Sequence, residues 1–247
     1  MSRLPFNELL SYIFEGKTHF LSAEFEKWVR SSRRYKTFAE TYRDKIRKKH
    51  RLASSGEQLE NLALELETAY WLLQDNRFEV GYESLAASQG RSPDFTVTFR
   101  THTRFNVEVT LLQVTTQQPN TAVERDAETD SEVVVNKLMS VICEKIRQMP
   151  PSFINLLVIG CGDIGSDPLV TATATLKTLI EQKNEAYFAR RGYLNATEFV
   201  RQYHRLSGIV LRNSGSFLWM NPLAKHPIPN DLANALRKLD APGNDKR

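Results

Sequence analysis

The chain has 247 residues, 41% of them hydrophobic and 25% charged. At roughly 150 residues per domain that length supports one domain plus an appendage, and the composition is unlike that of a disordered chain. No apolar run reaches the roughly 18 residues that a membrane helix needs, and MSRLPFNELLSYIFEGK lacks a signal-peptide layout, so a cytoplasmic protein without membrane partners is expected.

The net charge of +4 hides an asymmetry: residues 27–51 hold eleven Lys or Arg against Glu40 and Asp44, so the remainder is acidic. Such a block attracts phosphate by counterion release, or else forms a solvated helix face. Its candidates for contact with nucleic acid are Arg33, Arg34, Lys36, Arg43, Lys45, Arg47, Lys48, Lys49 and Arg51. The first 55 residues contain little Gly or Pro and place Phe38, Tyr42 and Ile46 at helical spacing. They read as a basic α-helical N-terminal extension, followed by an α/β domain over 56–247.

After the break ASSGEQ, the spacing of Leu62, Leu66, Ala69, Leu72 and Leu73 predicts an amphipathic helix. FEVGYESL then reads as a strand and SQGRSP as a turn. DFTVTF alternates strictly, with Phe95, Val97 and Phe99 opposed to Asp94, Thr96 and Thr98. RFNVEVTLL alternates again, setting Val107, Val109 and Leu111 against Asn106, Glu108 and Thr110. The expected product is a meander with one apolar and one polar face. Residues 113–130 read as a long polar loop. A helix over SEVVVNKLMSVICEKIRQ, the apolar strand FINLLVIG, a helix near 169–184, a mixed segment, a hairpin in SGIVLRNSGSFLWMN and a last helix in PNDLANALRKL complete an α/β sandwich with a mixed sheet.

A hairpin centred on Thr101 places Asp94 opposite Glu108, with Cβ atoms roughly 5 Å apart. Two carboxylates that close repel each other unless a cation lies between them. Paired hard oxygen ligands suit Mg2+ or Mn2+ at phosphate-cleaving sites. At these residues the chain resembles the PD-(D/E)XK nuclease superfamily: Pro93-Asp94, then Glu108-Val109-Thr110 fourteen residues on, with Glu65 on the upstream helix. The resemblance covers about residues 57–160.

The resemblance implies a restriction-endonuclease-like core in which Asp94 and Glu108 bind the metal, the Val109 carbonyl adds a ligand and Glu65 completes the shell, with Glu60 and Glu67 as rivals. It implies hydrolysis of phosphodiester bonds in DNA or RNA. Where that family carries a lysine, this chain has Thr110, whose hydroxyl supplies no positive charge. Either a lysine arrives from elsewhere or the fold serves as an inactive nucleic-acid- or protein-binding module. On the helix after the motif strand, Lys145 falls inside the apolar arc, whereas Lys137 lies nearer the helix start. Facing favours Lys145 and depth favours Lys137, and either stem could simply cover the core while its amine reaches water.

Gly160, Gly162 and Gly165 match GxGxxG after an apolar strand. Asp167-Pro168 is expected to interrupt the helix that a dinucleotide site requires, and no second apolar strand follows at the right distance, so a tight turn is expected instead. Cys143 and Cys161 form no CxxC and are expected to be buried thiols, and the five histidines lack HxxxH spacing. Trp71, Trp219 and Tyr70 read as core aromatics. The oligomeric state is not legible, and a homodimer is compatible with the sequence.

Overall fold

A computed structural model describes residues 6–83, 92–113, 127–162, 164–213 and 215–239. Most of the expected turn at 88–93, most of the polar loop and the tail from 240 lie outside them. Four helices open the chain: α1 (Phe6–Phe14), α2 (Phe20–Ser31), α3 (Arg33–Leu52) and α4 (Gly56–Leu73). The Ser32 and Ser55 side chains cap α3 and α4 by accepting from the backbone N–H of Tyr35 and Gln58, which supplies partners for otherwise orphaned helix-start donors. Strands β1 (Phe78–Tyr82), β2 (Phe95–Phe99) and β3 (Thr103–Leu111) follow. Then come α5 (Ala127–Lys145), β4 (Ile154–Gly160), α6 (Asp167–Glu181), α7 (Glu185–Arg190), α8 (Ala196–Tyr203), β5 (Gly208–Arg212), β6 (Ser216–Met220) and α9 (Asn230–Lys238).

The molecule is mixed α/β, with one six-stranded sheet in the order β1-β2-β3-β4-β5-β6 flanked by helices. β1, β2 and β3 are antiparallel, β3, β4 and β5 are parallel, and β6 returns antiparallel to β5. Strand alternation feeds two cores. Phe95, Val97, Val107 and Val109 join Leu66, Leu72 and the α9 residues Leu232 and Leu236 on one side. Leu157, Ile159, Ile209 and Leu211 join Leu138, Ile142, Leu176 and Phe199 on the other.

The N-terminal helices belong to the first layer: Leu9, Phe25, Phe38 and Ile46 are buried in the same core as the sheet residues. The polar face of the meander is partly shielded from water, with Asp94, Thr96, Thr98 and Thr110 half-buried and Arg104 exposed. Asn106 is 2% exposed and Glu108 9%, because the sheet carries helices on both faces and the α5 residue Lys145 reaches Glu108. Alternation in a sequence reveals that two faces differ; it does not reveal what covers them.

Gly160 closes β4, where a Cβ would lie 2.7 Å from the Leu64 side chain, so glycine lets α4 approach the strand end. Asp167-Pro168 does not interrupt a helix; it opens α6, where the missing proline N–H costs nothing. The next strand begins only at Gly208, after α7 and α8, so the glycine motif lacks the strand–helix–strand frame of a dinucleotide site. Both cysteines are free and buried, as their spacing indicated. Among the described residues no helix is long and apolar enough to cross a membrane.

Candidate active site

The β2–β3 register pairs Phe95 with Val107 and Thr96 with Asn106, so continuing it by one residue sets Asp94 beside Glu108. The β1–β2 register pairs Tyr82 with Phe95, and the Glu83 N–H donates to the Asp94 carbonyl at 2.9 Å, which sets Glu83 beside Asp94. Three acids therefore stand in a row across one end of three adjacent strands. Glu83 has a φ of 43°, a left-handed conformation uncommon for a non-glycine residue and costly unless its surroundings enforce it.

α4 adds Glu65 to this end of the sheet. Its Oε2 accepts from Tyr82 Oη at 2.6 Å and from Lys49 Nζ at 2.7 Å. Its rivals lie elsewhere: Glu67 is paired with Arg212 at 2.7 Å, and both Glu67 and Glu60 line a separate cleft of about 410 Å³ with Phe20, Leu64 and Leu111. Asp94 Oδ2 accepts from the Val109 N–H at 2.8 Å. Because the N–H and C=O of one strand residue point the same way, the Val109 carbonyl opens toward the Asp94 side of β3.

Two ammonium groups face the four carboxylates. Lys145 Nζ donates to Glu108 Oε1 at 3.1 Å. Lys49 Nζ lies 2.7 Å from Glu65, 2.9 Å from Glu83 and 3.9 Å from Asp94, and 4.9 Å from the centroid of the Tyr82 ring. With every group ionised the cluster carries an excess of two negative charges.

Burial comes first, and the neighbouring charges second, in shifting the proton affinities of these groups. Burial, and then the neighbouring Asp94 charge, push Glu108 up to about 7 against the pull of Lys145. Burial raises Asp94 despite the Val109 N–H and Lys49. Glu65 is raised by burial and by Asp94. Burial on its own would lower Lys49, yet the Glu65 charge and the hydrogen bonds to Glu65 and Glu83 hold it above the ordinary lysine range.

Comparison of the chain with family models, curated proteins and solved structures finds no match. The site therefore rests on its own geometry. Among the described residues no group of three or more His, Cys, Asp or Glu side chains is disposed to hold a metal ion. At the place where three carboxylates come nearest one another, the cation present is the Lys49 ammonium.

The remaining sequence candidates divide by what they touch. Lys137 donates to the Gln113 carbonyl past the end of β3, not to the carboxylates. Arg34 donates to the carbonyls of Leu73, Asp75 and Phe78. Lys45 donates to those of Tyr82 and Glu83, both at 2.9 Å. Arg47 and Arg51 converge on Glu15, at 2.9 and 3.1 Å, while Lys36 and Arg43 lie near Glu40 and Asp44. Arg33, Lys48 and Arg51 are exposed. Several charges of the basic block thus hold the fold together instead of facing a ligand.

Sequence reasoning did not single out Glu83 or place Lys49 among the acids. The β1–β2 connection is long and offers no symmetric turn from which to count a register, whereas Thr101 sits at the centre of a tight one. The histidines, scattered in sequence, also meet in part: His19 and His50 approach Nε2 to Nε2 at 2.9 Å.

Proposed function

We propose that the chain is a metal-dependent phosphodiesterase of the restriction-endonuclease type, acting on DNA or RNA in the cytoplasm. One observation carries the reading: the carboxyl groups of Asp94, Glu65 and Glu83 meet around Lys49 at one sheet end, with Glu108 beside Asp94 on Lys145, so that carboxyl groups outnumber the ammonium groups facing them. The donors are hard oxygens, as Mg2+ or Mn2+ requires. As they stand, with Lys49 between Glu65 and Asp94, no three of these acids are disposed to bind an ion; Asp94, Glu108 and Glu65, with the Val109 carbonyl, would hold it after rearranging, and the ion when bound would polarise a phosphate oxygen and acidify a water.

The other steps belong to the chain. Lys145, fixed on Glu108, brings a positive charge to the neighbourhood that Thr110 leaves without one. Arg33, Lys36, Arg43, Lys48 and Arg51 supply contacts to the nucleic-acid backbone, which position a strand without reading its sequence. The element order also supports the reading, since α4, the β1–β3 meander, α5 and parallel β4 follow the succession implied by the resemblance.

A second reading, an inactive binding module on the same fold, draws support from Lys49, whose ammonium already satisfies Glu65 and Glu83. Plasmid and single-stranded substrates incubated with Mn2+ separate the two. Cleavage by the wild type, reduced about 10²-fold or more in Asp94→Asn, is the expected result. Binding without cleavage in both proteins would favour the module.

A further inference from the structure

Lys49 comes from α3, outside the stretch that carries the carboxylates, and its position is costly to maintain. Its side chain is 26% exposed, that of Glu65 14% and that of Asp94 18%. An ammonium so placed gives up much of its hydration and is retained by opposite charge. Its three donors suffice for Glu65 and Glu83, with Asp94 in range at 3.9 Å. The flexible four-carbon stem and the residual exposure leave it a path toward solvent.

Resting on the metal-dependent reading above, we propose that Lys49 is the resident counter-cation of the acidic centre, and that a divalent ion enters by displacing it from Glu65 and Asp94. The two cations compete for the same carboxylates. Glu83, at the outer end of the row, keeps the displaced ammonium close to the site, and Lys145 remains on Glu108. Lys49 is thus a positioning residue that holds the carboxylates together without metal and sets the metal concentration at which they change partners.

The test measures Mn2+ binding to the full-length chain at pH 7.5 by calorimetry, with thermal unfolding in parallel, for wild type, Lys49→Met, Lys49→Arg, Lys145→Met and Asp94→Asn. Removing a positive charge from the site should tighten Mn2+ binding at least about tenfold in Lys49→Met. That variant should also melt earlier without metal and gain more from Mn2+ than wild type does. Lys49→Arg should return affinity toward wild type, and Asp94→Asn should weaken it. Should Lys49→Met fail to fold, Lys49→Gln, which keeps a donor and drops the charge, provides the same comparison.

Wild-type binding that Lys49→Met leaves unchanged or weakens, with Asp94→Asn still impaired, overturns the exchange and spares the metal site. Absence of Mn2+ binding in every protein overturns both.

Discussion

Glu108 is a strand acid that holds its proton in the folded state to about pH 7, against 4.5 for the ordinary group, because it is buried beside Asp94. The folded state therefore binds more protons than the unfolded chain between those values. The stabilisation this provides is full below pH 4.5 and is lost as pH rises through 7. Without divalent ions, the melting temperature should fall between pH 5 and pH 8 by more in the wild type than in Glu108→Gln, and Mn2+ should restore much of the loss at pH 8. Identical pH profiles for the two proteins would contradict this account of Glu108. Lys145 lies inside the apolar arc of α5 because its ammonium donates to the Glu108 carboxyl group.

Where α2 begins and α3 ends, the two elements are joined through a histidine pair. His19 Nδ1 accepts from the Ser22 N–H at 3.3 Å, capping α2, so the His19 proton sits on Nε2 and is donated to His50 Nε2. His50 Nδ1 is then a buried donor without a hydrogen-bond partner among the described residues, and Phe14 meets both rings edge-on. Protonation of His50 at Nε2 removes the acceptor and breaks the link, whereas protonation of His19 at Nδ1 removes the acceptor that caps α2. Burial, and then nearby Lys17, lower His19; burial, His19 and Lys17 lower His50 against the opposing pull of Glu15, which Arg47 and Arg51 engage. A histidine lowered from 6.5 contributes stability that is full above that value and fades as pH falls below it. Thermal melts between pH 7.5 and 5 should show a larger acid loss in wild type than in His50→Gln, and equal losses would refute the link.

Element by element, what the sequence disclosed follows from which contacts are local. The β2–β3 register was legible because a tight turn at Thr101 fixes it by counting, and the facing of Lys145 followed from the helical period of α5. The partial shielding of the polar face, the row position of Glu83 and the arrival of Lys49 all depend on how distant elements pack, which periodicity does not encode. Pro168 was misread for a related reason, since proline breaks a helix interior but suits its first turn.

Across the whole molecule, the sheet separates two cores while its β1–β3 end gathers charge from α3, α4 and α5. Within the basic block Arg34, Lys45 and Lys49 are turned inward, whereas Arg33, Lys48 and Arg51 are exposed and are the charges on which the proposed nucleic-acid contact would rest. Nucleic-acid affinity should therefore fall less steeply with salt than eleven basic residues suggest. Lys48→Gln should reduce the slope of log K against log salt by about 1 without altering sequence preference. An unchanged slope from a salt titration would remove Lys48 from the interface.

In the function proposed above, the carboxylates of neighbouring strands share a divalent ion. The most direct test is anomalous scattering from a crystal soaked in Mn2+. A peak is expected within bonding distance of Asp94, Glu108, Glu65 and the Val109 carbonyl, with Lys49 drawn away from Glu65. A crystal saturated with Mn2+ that shows no peak there, and Lys49 still bridging Glu65 and Glu83, would contradict it.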